Sequence, residues 1–112
     1  MFFEQTVVSP LFQPLMQREE KRVKRHVDRA RAKGREATLT IEQWLATLQH
    51  HEWSCIYCNH AGAEVLDHIV PVVMDGGTTA VNCVPCCKAC HHKRMALFQQ
   101  MERVQSEMAQ LA

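Results

Sequence analysis

Two Cys-x-x-Cys pairs, Cys55 with Cys58 and Cys87 with Cys90, occur in a chain of 112 residues with 28 residues between them. Each short loop places its two sulfurs on one side of an ion, and two such loops close a tetrahedron of soft ligands suited to zinc. Nothing else in the sequence constrains the fold as much, because a single ion would tie two distant segments to one point. Four thiolates leave no open position for a substrate, so the expected zinc is structural. Cys83 and Cys86 form a further Cys-x-x-Cys, and Cys86 adjoins Cys87, so the second pair of ligands can be drawn from any of four thiols. The two left over are expected to be buried.

Zinc is preferred over disulfides because the chain reads as cytoplasmic. The apolar start resembles a signal peptide poorly: Glu4 occupies the place of a basic region, Pro10 and Pro14 break the apolar run, and no small-residue cleavage site precedes the charges. No apolar stretch approaches the roughly 20 residues that span a bilayer, so no membrane is expected. In a reducing compartment, paired cysteines point to metal.

The formal net charge of +1 is unevenly spread. Residues 18–35 hold nine basic side chains against three acidic ones, a local balance of +6, and the remainder sums to −5. Val23, Val27 and Ala30 fall at helical spacing through this block and Gly34 is a natural stop, so a basic helix with one thin apolar stripe is expected. The preceding residues 1–17 read as a tail or docking segment. Thr40 with Gln43 forms a capping pattern ahead of Ile41, Trp44, Leu45 and Leu48, which predicts a helix over 40–50. Residues 64–73 are rich in β-branched side chains and predict a strand, and Asp75-Gly76-Gly77 predicts a turn in which glycine supplies a positive φ. From Lys88 onward there is neither proline nor glycine. Leu97, Met101, Val104, Met108 and Leu111 then give a helix whose apolar seam is expected to pack on its own domain, which favours a monomer.

Within the cysteine brackets lie Asp67-His68, Asn82 and His91. With these residues the stretch Cys55-Ile-Tyr-Cys58, Leu66-Asp-His-Ile-Val-Pro71, Gly76-Gly77, Asn82, Pro85 and Cys87-Lys-Ala-Cys90-His91 resembles the HNH endonuclease family. The resemblance implies an α+β fold: a small ββα-metal finger with structural zinc knuckles, flanked here by the N-terminal basic helix and a C-terminal helix. It implies a nuclease domain over 40–112 with its core at 53–95, preceded by a DNA-contacting arm over 1–39. By the same match His68 is the general base, Asp67 and His91 hold a catalytic divalent ion such as magnesium, and Asn82 fixes the finger loop.

The chemistry of these residues is consistent with that implication. An imidazole with pKa near neutrality can take a proton from water, and a carboxylate with an imidazole leaves a hydrated ion several positions open to phosphate oxygens. Asp67 and His68 are adjacent, so on a regular strand they face opposite ways unless the strand ends or bulges there. DNA is the expected partner, gripped by Lys21, Arg22, Lys24, Arg25 and Arg29 of the basic helix and by Lys88, Lys93 and Arg94 near the start of the last helix. The competing expectation is a zinc-stabilised nucleic-acid-binding module without catalysis.

Overall fold

The computed structural model describes residues 12–60 and 62–111, so the tail reading for the first eleven residues lies outside the described residues. The elements in order are α1 (Phe12–Ala32), α2 (Ile41–His50), β1 (Val65–His68), a short 3-10 turn (Val72–Met74), β2 (Cys83–Cys86) and α3 (Lys88–Leu111). The strands pair antiparallel in a two-stranded sheet, and β1, β2 and α3 supply the ββα order of a small α+β zinc fold. The chain forms two compact units, one of residues up to Thr47 with His68–Cys83, the other of Leu48–Asp67 with the residues from Val84 on.

In the first unit, α1 begins six residues before the charged block, with Pro14 in its first turn, where a missing N–H is tolerated. It ends as the glycine predicts. Gly34 sits at φ 70°, its N–H donates to the Arg31 carbonyl, and the Arg35 N–H reaches back to the Ala30 carbonyl, the paired bonds of a Schellman cap. The α2 capping box forms reciprocally: the Gln43 N–H donates to Thr40 Oγ1 at 3.1 Å and the Thr40 N–H to Gln43 Oε1 at 3.0 Å.

The α1 stripe is only partly the apolar one read from the sequence. Val23 and Ala30 are buried, but so is Glu19, which reads in the sequence as one of the acids diluting a solvated basic face. Its Oε1 accepts from Trp44 Nε1 at 2.9 Å and from the Arg22 guanidinium at 3.1 Å, while Oε2 accepts from Arg18 Nε at 3.1 Å. Trp44 is itself fully buried, and its indole N–H needs this acceptor. Replacing Glu19 by alanine leaves the indole N–H unpaired and strips the Arg22 side chain, 13% exposed, of its counter-charge. The expected loss is about 3 kcal/mol of unfolding free energy in urea, with Glu19→Gln losing less because it keeps an acceptor for the indole. An unchanged urea midpoint in Glu19→Ala would show that the carboxylate contributes nothing to this core.

The strand predicted over 64–73 is shorter, ending at His68. One more backbone bond follows, from the Ile69 N–H to the Asn82 carbonyl at 2.9 Å, and the pairing stops at Val70, whose N–H and carbonyl are taken by the Asn82 side chain, and at Pro71, which has no N–H. The chain instead turns through Val72–Met74, where Asp75, not a glycine, carries the positive φ of 71°. Gly76 and Gly77 are required for closeness of approach. A Cβ on Gly76 would overlap the Val70 carbonyl, and one on Gly77 would lie 2.8 Å from Glu36 Cβ. Arg35 braces the same turn, donating from Nε to the Val72 carbonyl and pairing with Asp75.

In the second unit, Leu48, Cys55, Leu66, Val84 and Cys86 are buried, and Pro85 fits β2 because each strand of a two-stranded sheet is an edge. The expectation that the C-terminal seam packs on its own domain is not met. No residue of α3 is buried, and Leu97, Met101, Val104, Met108 and Leu111 are all exposed. A helix of 24 residues is about 36 Å long, and no described residue covers its C-terminal half.

Candidate metal and catalytic site

The four thiols that come together are Cys55, Cys58, Cys87 and Cys90, with all four sulfurs within 4.8 Å of one another. A tetrahedral zinc with Zn–S near 2.3 Å requires sulfurs about 3.8 Å apart. Cys58 Sγ and Cys87 Sγ are 3.8 Å apart. Backbone donors already point at the cluster: the Tyr57 N–H at Cys55 Sγ and the Cys90 N–H at Cys87 Sγ, each at 3.4 Å. The second of these makes Cys87 the N-cap of α3, a sulfur in the role usually taken by a serine or aspartate oxygen. Glu64 satisfies another donor of that helix end, accepting from the Lys88 N–H.

Four thiols this close cannot ionise independently. Burial pushes Cys55 up, but backbone donors at Cys87, Cys58 and Tyr57 outweigh it and draw the thiol down to about 6. Cys90 is pushed up to about 12, first by its hydrogen bond with Cys87 and then by burial. A dication allows four thiolates to coexist, so the donor set fits zinc. Cys83 and Cys86 are buried thiols outside the cluster, as expected of the two left over. Cys86 is raised well above the usual thiol range by burial and by the charge of Asp67, which keeps it a neutral thiol.

Asp67 lies in the same unit, its side chain 5% exposed. Its Oδ1 is 3.1 Å from His91 Nδ1, and His91 sits on the first turn of α3. Its Oδ2 accepts from Arg94 Nε at 3.0 Å and from the Tyr57 hydroxyl at 2.8 Å. Arg94 is in turn held over the Tyr57 ring at 4.4 Å and near the Phe98 ring at 5.2 Å. Tyr57 is raised above the ordinary phenol range by burial and by Asp67, so it remains a donor. One carboxylate oxygen is thereby anchored while the other faces an imidazole. Adjacent ligands of an octahedral ion at 2.0–2.1 Å are about 3 Å apart, so Asp67 and His91 fit two neighbouring positions around a magnesium-like cation, with the rest left to water and substrate. Among the described residues no third His, Cys, Asp or Glu joins them in a metal-sized group.

His68, the last residue of β1, belongs to the other unit with Asn82. Its Nε2 is 2.9 Å from Thr78 Oγ1, and its ring lies 5.4 Å from that of His26 on α1, tilted by 56°. His26 is drawn down to about 3 by burial, then by the charges of His68, Arg29, Arg25 and Arg22, and so stays neutral. Asn82 clamps the connecting loop: Oδ1 accepts from the Val70 N–H at 2.8 Å, and Nδ2 donates to the Val70 and Gly77 carbonyls at 3.0 and 2.8 Å. The basic helix exposes Lys21, Lys24, Arg25 and Arg29, with Lys24 paired to Asp28, whereas Arg22 is turned inward onto Glu19. Lys88 and Lys93 are exposed on α3, and Arg94 is committed to Asp67.

The sequence alone gives no role to Tyr57, Thr78 or His26. Tyr57 lies between two cysteines and Thr78 directly follows the glycine pair, so both lie within the motif. His26 is flanked by Arg25 and Val27 within a basic run and reads as one more solvated side chain.

No curated protein and no solved structure gave a significant match to the chain. Residues 55–96 match the sequence model of the HNH endonuclease family. That span contains the four clustered thiols, the Asp67–His91 pair, His68 and Asn82, and over it the chain is similar to the HNH endonuclease family.

Proposed function

We propose that the protein is a metal-dependent endonuclease that hydrolyses DNA phosphodiester bonds, with His68 as general base and Asp67 and His91 holding magnesium or a similar divalent ion. The observation that carries this reading is the approach of Asp67 Oδ1 to His91 Nδ1 at 3.1 Å, with the second carboxylate oxygen fixed by Arg94 and Tyr57.

In this reading His68 accepts the proton of the attacking water, while Asn82 holds the loop from Val70 to Gly77 in one conformation. When bound, the ion would neutralise charge on the phosphate and stabilise the departing 3′-oxygen, giving 5′-phosphate and 3′-hydroxyl ends. Lys88 and Lys93 flank the α3 N-terminal turn, which favours phosphate, and Lys21, Lys24, Arg25 and Arg29 add backbone contacts without sequence information. Arg22, Lys24 and Arg94 are predicted DNA contacts already engaged by acids; Lys24 pairs with Asp28 at the surface, whereas Arg22 and Arg94 are part-buried and chiefly hold Glu19 and Asp67.

The alternative, a zinc-stabilised nucleic-acid-binding module without catalysis, draws on the same basic helix. Supercoiled plasmid incubated with the protein separates the two. Conversion to open-circular or linear forms with magnesium or manganese, abolished by EDTA, is expected. Plasmid that shifts in a gel yet stays supercoiled under every divalent ion tried would establish the binding module and end the nuclease reading.

A further inference from the structure

Helix α3 carries Leu97, Met101, Val104, Met108 and Leu111 in one seam, spaced alternately by four and three residues. The seam runs for about 21 Å along the helix axis. A 3.5-residue period held over that length suits a second helix, which keeps meeting the stripe from end to end as a strand or loop does not. The five side chains are 40–86% exposed. In heptad terms Met101 and Met108 take a positions, and Leu97, Val104 and Leu111 take d positions. Leu97, Gln100, Met101, Val104 and Gln105 line a hollow of about 440 Å³ on this face. The first four form a d, g, a, d set, which is the hole that receives a knob from the facing helix of a coiled coil.

The flanks of the seam decide what fills that hole. Charges at e and g positions normally choose the partner of a coiled coil. Here those positions are Phe98, Gln100, Gln105 and Glu107, one charge among four, so nothing selects a foreign helix and two copies meet without opposed rows of like charge. A lipid surface fits worse: beside the seam Arg103 stands with Glu102 and Glu107, not with the further lysines and arginines that anionic headgroups attract. Five such side chains from each of two copies bury about 1,000 Å² between them, the size at which a specific interface begins. We propose that the α3 seam is a self-association surface, on which a second copy of this chain lays its own α3 so that knobs of each helix enter holes of the other. The contact spans roughly two heptads, so the dimer is weak and forms as concentration rises. It is independent of the nuclease reading, since every seam residue lies outside the matched span 55–96.

Sedimentation equilibrium of the zinc-loaded full chain, kept reduced, reads the association directly. The apparent mass is expected to climb from 12.9 kDa towards twice that value between about 1 and 100 µM. Val104→Glu places a charge at the centre of the seam on a side chain that is exposed and supports no core, so it should weaken association at least about tenfold with zinc content unchanged. Gln99→Glu, on the opposite face of the helix, should associate like wild type. In an equal mixture of chains with isotope-labelled methionine methyls and unlabelled chains, filtered NMR spectra should show the Met101 and Met108 methyls of one chain touching leucine and valine of the other. A chain that stays at 12.9 kDa up to about 100 µM overturns the proposal. So does a dimer that Val104→Glu leaves intact, because the contact then lies elsewhere. Methyl contacts that run instead to residues 1–11 of the same chain would give the seam to that segment and equally overturn the proposal.

Discussion

His68→Ala is expected to lower the rate of plasmid cleavage roughly 10²- to 10⁴-fold, the range usually lost with a general base, while KM changes little. The size follows from the role proposed for the side chain. At neutral pH, hydroxide is scarce and bulk water is a poor proton acceptor, so removing a positioned imidazole returns the barrier by about 3–5 kcal/mol. In the proposed mechanism ground-state affinity comes instead from Lys21, Lys24, Arg25 and Arg29 and from Lys88 and Lys93 of α3, none of which the substitution touches. Zinc content and helical signal should match wild type, because His68 is only half-buried and the hydrogen bonds that hold its loop belong to Asn82, Arg35 and Thr78. Thr78 keeps the His26 carbonyl as an acceptor in the variant, so no buried donor is orphaned. Equal cleavage by wild type and His68→Ala, measured under single-turnover conditions with the same divalent ion, would remove His68 from the mechanism.

What could be read in advance divides along a physical line. The α2 capping box, the Gly34 helix stop and the Cys-x-x-Cys knuckles are decided by residues a few positions apart, and local sequence contains the whole of each interaction. The order Asp67-His68, Asn82, His91 was legible as a pattern, but not what each residue touches. The strand was overestimated because β-branched content says nothing about Asn82, twelve residues on, removing Val70 from the ladder. Glu19 looked like a surface acid because its partner Trp44 is 25 residues away on another helix. The glycine pair was assigned the right place for the wrong reason, since its need is steric room beside Val70 and Glu36 rather than a left-handed backbone. The choice among six thiols required three dimensions as well: adjacency puts Cys86 beside Cys87, yet Cys86 turns into the core and donates its S–H to the Cys87 carbonyl.

That choice sets up the other large effect. One tightly held zinc per chain is expected, lost in Cys55→Ser and retained in Cys86→Ala, with elemental analysis as the readout. The unit that holds the cluster buries only Leu48, Leu66, Val84, Pro85, Asp67, Cys55 and Cys86 among its described residues, and no residue of its longest helix is buried. Its two four-residue strands are too short to stand as an isolated pair in water. Zinc binding to four cysteines is worth about 10–16 kcal/mol near neutral pH in small zinc modules, as much as the whole folding free energy of an ordinary domain. Removing zinc with a strong chelator should therefore abolish amide-exchange protection in β1, β2 and the 55–60 knuckle, and re-adding one equivalent should restore it. The reciprocal bonds of the α2 capping box and the Glu19–Trp44 contact involve no sulfur, so the protection of α1 and the first turns of α2 is expected to outlast the metal. A metal-free chain that keeps full protection in β1 and β2, or a Cys55→Ser protein that still holds one zinc, would show that the four sulfurs are not what closes this fold.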